Sequence, residues 1–142
     1  MCIRDRDMAL AILSVKRVFD GIREKHVKIS ITGGMRALGL AVFIAQLLTK
    51  WRHEPKMEVY LEGRGAALAV PDVRKLMVAM EKCADLVQLM KERGPCRLSQ
   101  LALELGKDRS TVYRKMKILV GAGAAKRTRR GYELTVLGEM LV

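Results

Sequence analysis

Arginine, lysine, hydroxyl and phenol side chains recur at helical spacing near the end of the chain, at Arg109, Ser110, Thr111, Tyr113, Arg114 and Lys117. At about 100° per residue, Val112, Met116 and Leu119 share one face of such a helix, while Ser110, Tyr113, Arg114 and Lys117 share the opposite face and Arg109 stands at its start. Arginine forks onto guanine edges, hydroxyls reach phosphates or bases, and a tyrosine hydroxyl donates to phosphate. Farther on, Arg127, Arg129 and Arg130 cluster around Thr128 just before Gly131. Three arginines at a hairpin tip suit phosphate or minor-groove contact. A charged helix face and a soluble loop are the plainer account of the same residues.

A second stretch with chemical potential is Thr32-Gly33-Gly34-Met35-Arg36. A glycine pair between a strand and a helix lets backbone approach a ligand, and the helix start favours phosphate. A plain turn explains two glycines equally well, and the GxGxxG fingerprint is missing. Metal and catalytic chemistry find little support. Cys2 lies in the first six residues, Cys83 and Cys96 lack CxxC spacing, and His26 and His53 stand apart as surface or loop residues. No catalytic residue, resident cofactor or metal site is expected.

The elements that must position these residues follow from periodicity. Residues 8–24 carry Leu10, Leu13, Val18 and Ile22 at roughly helical spacing, and residues 27–31 alternate like a short strand. A strongly apolar helix then runs from near Met35 to about Lys50, followed by a strand over 57–62, a Gly63-Arg64-Gly65 turn and a returning strand over 66–70. Strand, helix, strand is one crossover of an open α/β sheet. The run ALGLAVFIAQLL is shorter than the ~20 residues of a membrane span and contains Gln46, so no membrane is expected and burial in a core or interface is.

Pro71 breaks the pattern, and Asp72 can cap a helix whose apolar positions, Leu76, Met80, Ala84, Val87 and Leu89, continue to Arg93. Gly94-Pro95 ends it. Ser99 can cap a helix over 100–105 that stops at Gly106, and Asp108 can cap the helix over 109–120 that Gly121-Ala122-Gly123 stops. Short strands over 124–126 and 132–134 enclose the arginine cluster. Helix, helix, turn, helix and basic hairpin is the layout of a winged helix-turn-helix.

Charge agrees with that layout. Lys and Arg total 27 against 15 Asp and Glu, a formal net charge of +12. Such a surplus points to a polyanion, most simply nucleic acid, with an anionic membrane surface second; with the winged layout the expected partner is double-stranded DNA. Few, unpaired cysteines fit a reduced cytoplasmic setting.

The stretch LGKDRSTVYRKMKILVGAGAAKR with RRGYELTVLGEML resembles the winged-helix regulators of bacteria and archaea. The segment VKISITGGMRALGLAVFIAQLL with MEVYLEGRGAALAVP resembles the back half of a CARF domain, a CRISPR-associated Rossmann-type sensor. The two in this order resemble a family of CRISPR-associated transcriptional regulators. That resemblance implies a homodimer whose paired sensors bind cyclic oligoadenylate through loops at the strand ends. It carries the ligand-loop role onto Thr32, Gly33, Gly34, Met35 and Arg36. Some CARF proteins cleave their own ligand; for such a ring nuclease Ser30 or Thr32 would position a ribose hydroxyl, but no general base stands near. A constitutive DNA-binding protein whose α/β half only dimerises is the remaining alternative.

Residues 1–6, MCIRDR, back-translate to a string that looks like a transposon end used to tag fragmented DNA, and they are set apart from fold reasoning. On that reading the α/β domain's front half lies upstream. The expected architecture is α/β plus winged helix: a partial CARF-like domain over 7–71, a connecting helix over 72–80 and a winged helix-turn-helix over 81–142.

Overall fold

The computed structural model describes residues 7–33 and 36–142. Gly34 and Met35, two of the expected ligand-loop residues, lie outside the described residues, as do residues 1–6. The chain divides after Pro71 into two compact units.

In the first unit, helix α1 (Met8–Ile22) starts at Asp7, whose carboxylate accepts from the Ala9 and Leu10 amides at 3.1 and 3.4 Å. Strand β1 (Lys28–Ile31), helix α2 (Arg36–Leu48), strand β2 (Lys56–Leu61) and strand β3 (Ala66–Val70) follow. The sheet order is β1-β2-β3, with β1 and β2 parallel and β2 and β3 antiparallel. Parallel neighbours need a long crossover, and α2 supplies it. The β2–β3 turn uses positive φ at Gly63 and Gly65, +78° and +60°.

The core of this unit joins Val15 and Phe19 of α1, Ala45 of α2, Ile29 and Met57. Phe19 and Trp51 sit 5.2 Å apart, and the Trp51 indole donates to the Gln46 carbonyl at 3.0 Å. The face of α1 differs from expectation. Ala11, Val15 and Phe19 are buried, whereas Leu10 and Val18 are 60% and 57% exposed and Leu13 also faces solvent. Two apolar stripes share this helix, and the one carrying Phe19 faces α2 and the shared core. Helix α2 is likewise only partly enclosed: Ala41 and Ala45 are fully buried, but Leu40 and Leu48 are about half exposed. His26 and His53, which look isolated in sequence, stack with ring centroids 4.0 Å apart.

In the second unit, Asp72 caps helix α3 (Val73–Lys82) by accepting from the Lys75 amide at 3.1 Å. The continuous helix expected through Arg93 is two helices. Cys83, at φ −121° and ψ 17°, ends α3 and begins α4 (Ala84–Arg93). The Cys83 thiol at this break donates to the Lys115 carbonyl of the helix that follows at 109–121, at 3.5 Å. The stretch read as a connecting helix packs into this unit, with Ala79 and Leu76 against its core.

Helix α5 (Leu98–Leu105), helix α6 (Arg109–Gly121), strands β4 (Ala125–Thr128) and β5 (Gly131–Leu134) and a short helix α7 (Val136–Glu139) complete the unit. Leu86, Met90, Leu101, Val112, Met116 and Leu119 form its dry centre. Ser99 does not cap α5 but lies inside it; the Gln100 side chain instead accepts from the Arg97 amide at 3.2 Å. Both strands of the hairpin extend farther toward its tip than the sequence implies, leaving Arg129-Arg130 as a two-residue turn. Helix α7, which the sequence reading lacks, begins at Thr135, whose hydroxyl accepts from the Gly138 amide.

Among the described residues, no helix is long and apolar enough to cross a membrane, and no group of His, Cys, Asp and Glu could hold a metal ion.

Candidate nucleic-acid interface

The recognition-type helix is α6, and its placement follows from its two faces. Val112, Met116 and Leu119 are buried, which turns Tyr113, Arg114 and Lys117 outward. Its start is fixed by Asp108, which accepts from the Thr111 amide at 3.2 Å and from the Thr111 hydroxyl at 2.6 Å, and also from the Ser110 hydroxyl. Those hydroxyl bonds hold the Asp108 carboxyl down at about 2. Ser110 and Thr111, expected to touch DNA, therefore direct their hydroxyl protons to Asp108 at the helix cap, and Thr111 is half-buried.

The turn before α6 is held from below by Asp85 of α4. Lys107 reaches it at 2.5 Å and Lys115 at 3.0 Å. Burial pushes the Asp85 carboxyl up, but the two lysine hydrogen bonds outweigh it and hold the group at about 2. The Lys107 ammonium is raised by the same bond. Asp85 thus ties α4 to both the turn and α6, and it takes two cations out of competition for an external anion.

The wing is set by register. Cys96 exchanges backbone hydrogen bonds with Tyr132 at 3.0 and 2.8 Å, adding a third short strand segment beside β5. Gly131 makes this approach possible: its φ is +123°, and a Cβ there would collide with the Cys96 carbonyl. The contact carries Arg97, at the start of α5, next to the wing.

The result is an open cleft of about 880 Å³. Arg97, Leu98 and Ser99 line it from α5, Arg109, Ser110 and Tyr113 from α6, and Arg127, Thr128, Arg129, Gly131 and Tyr132 from the wing. Among the described residues no carboxylate pairs with Arg97, Arg109, Arg127 or Arg129, whereas Arg93 and Lys126 are held by Glu104 and Glu133 at 3.0 and 3.2 Å. Four guanidinium groups without counter-charges around one cleft have the chemistry that suits phosphate oxygens. Of the expected contacts, Arg109, Ser110, Tyr113, Arg127 and Arg129 meet here. Thr111, Arg114, Lys117 and Arg130 do not line it; Arg114 stays exposed on α6, and the Lys117 ammonium lies 5.1 Å from the Tyr113 ring centre. Arg97, Ser99, Thr128 and Tyr132 are additions, and the signal for them is the Cys96–Tyr132 pairing, which only the folded wing creates.

The described residues of the expected ligand loop are exposed. Thr32, Gly33 and Arg36 face solvent, and a Cβ at Gly33 would collide with the Glu62 carboxylate. On the neighbouring strands the Ser30 hydroxyl and the Lys28 ammonium both donate to Glu58, at 2.7 and 3.1 Å, which lowers the Glu58 carboxyl.

A search of curated proteins finds no match to the chain. The IclR helix-turn-helix domain family matches residues 79–129, from the last turn of α3 to the tip of the wing. With α6 exposed beside a basic wing, that match supports a DNA-binding transcriptional regulator of the winged helix-turn-helix kind.

Proposed function

We propose that the chain is a ligand-responsive DNA-binding transcriptional regulator, not an enzyme, that acts as a homodimer and responds to cyclic oligoadenylate in a CRISPR-associated setting. The observation that carries the DNA half is the cleft in which Arg97, Arg109, Arg127 and Arg129 gather without acidic partners. Arg114, exposed on the outer face of α6, is the side chain best placed to read a base edge. The effector half rests on the resemblance of residues 27–71 to a CARF domain and on the parallel β1-α2-β2 crossover, whose turn carries Thr32, Gly33 and Arg36 at its accessible end. Gly34 and Met35 complete the loop in this proposal. An effector alters DNA binding only if it favours one dimer arrangement over another.

A second reading, constitutive DNA binding with an α/β half that only dimerises, draws on Glu62. Its carboxylate lies against Gly33, where a phosphate would have to enter. Fluorescence anisotropy of a labelled operator duplex, with and without cyclic tetra-adenylate or cyclic hexa-adenylate, separates the two. A several-fold change in Kd supports the effector-controlled regulator. Unchanged affinity, with tight DNA binding retained, leaves the constitutive reading.

A further inference from the structure

Beside the arginine cleft, a second cleft of about 490 Å³ runs between the C-terminal half of α6 and the wing. Tyr113, Val120 and Gly121 line it from the helix and Tyr132 from β5, and its lining is almost wholly apolar. Val120 is 42% exposed and Tyr113 45%, so apolar surface of α6 stands open to solvent here. The Lys117 ammonium is turned onto the Tyr113 ring, 5.1 Å from its centre. Met116 belongs to the core and Gly121 has no side chain, which leaves Val120 and the two tyrosine rings as the walls. A Cβ added at Gly121 would meet nothing within 4 Å. Tyr113, Arg127 and Tyr132 line both clefts, so the apolar one continues directly from the arginine one.

A duplex that lays its phosphates along the arginine cleft therefore needs an apolar group for the second. The major groove offers one at its base edges, the C5-methyl of thymine; every other group there is a hydrogen-bond donor or acceptor. Such a polar group set against Val120 would lose water without gaining a partner. We propose that the second cleft reads thymine, packing one C5-methyl of the bound duplex against Val120 and the tyrosine rings. This inference rests on the DNA-binding reading above and names the base that the surface beside the phosphate contacts prefers. Burial of a single methyl is worth about fourfold in affinity.

The test begins with an operator that the full chain selects from a pool of random duplexes. Deoxyuridine replaces each thymidine in turn, which removes one methyl and leaves base pairing intact. Fluorescence anisotropy should show about fourfold weaker binding at the position that meets the cleft. With a C·G pair at that position, 5-methylcytosine should bind about fourfold more tightly than cytosine, because the methyl and not the pair is read. Val120→Ser removes the aliphatic wall, and Gly121→Leu fills the space. In each variant the thymidine-to-deoxyuridine ratio at that position should fall below about twofold, with binding to the deoxyuridine duplex retained. Circular dichroism checks both variants, and either suffices if the other fails to fold. Tight duplex binding with no position sensitive to loss of a methyl overturns the inference and leaves the DNA reading standing. A fourfold ratio that persists in a folded Val120→Ser or Gly121→Leu variant overturns it as well. Absence of any duplex binding overturns the DNA reading itself, and the thymine contact with it.

Discussion

Replacing Asp85 with Asn should loosen the seat of α6 without touching the DNA-facing surface. Asp85 receives Lys107 at 2.5 Å and Lys115 at 3.0 Å, and its carboxyl is held at about 2 against an ordinary value of 3.8. At about 1.4 kcal/mol per pKa unit, that difference corresponds to at most roughly 2–2.5 kcal/mol. The Asp85 side chain is 38% exposed, so solvent screening reduces the expected loss to on the order of 1 kcal/mol. The sign follows from the lowered folded value. The stabilisation is fully present above the unfolded pKa near 4 and disappears as pH falls through about 2. Urea unfolding followed by circular dichroism is the assay, because the single tryptophan, Trp51, lies in the first unit and does not report on this one. Wild type should exceed Asp85→Asn by about 1 kcal/mol between roughly pH 5 and 8, with the gap closing between about pH 4 and 2. A gap undiminished at pH 2, or none at pH 7, would refute the assigned role of the carboxylate.

Other expectations follow from the cleft and the wing. Arg97→Ala should weaken binding to all duplex sequences alike and reduce the salt slope by about one unit, measured by anisotropy across a chloride series. Arg114→Ala should cost about 1–3 kcal/mol at one position of the operator and relax selectivity there, which a panel of single-base operator variants would read. Gly131→Ala should destabilise the second unit by about 2 kcal/mol or more, since it strains a positive φ and drives a methyl into the Cys96 carbonyl. Thermal unfolding by circular dichroism decides it.

How much of this was legible in sequence depended on how local its cause was. Asp72 and Asp108 mark helix starts through bonds three residues long, and the pattern Val112, Met116, Leu119 identifies the buried face of α6, because one helix carries both signals. The buried face of α1 is not legible because Leu10, Leu13 and Val18 are as apolar as the residues that are buried; only the packing of α2 against this helix selects Val15 and Phe19. The break at Cys83 has no glycine or proline to announce it, and its thiol bonds to a carbonyl on α6. Arg97 was invisible as a cleft residue for the same reason. It reaches the wing through the pairing of Cys96 with Tyr132, residues far apart in the chain. Helix α7 is a single turn, too short for any period to register.

The most direct test of the central claim is the salt dependence of duplex binding by the full chain and by the Arg109→Ala/Arg127→Ala/Arg129→Ala variant. If these arginines and Arg97 each neutralise one phosphate, the plot of log affinity against log salt should have a slope of roughly −3.6 per bound copy, and the triple variant should flatten it to about −1. Equal slopes for the two proteins, or no measurable affinity of the wild-type chain for duplex DNA at low salt, would contradict the account.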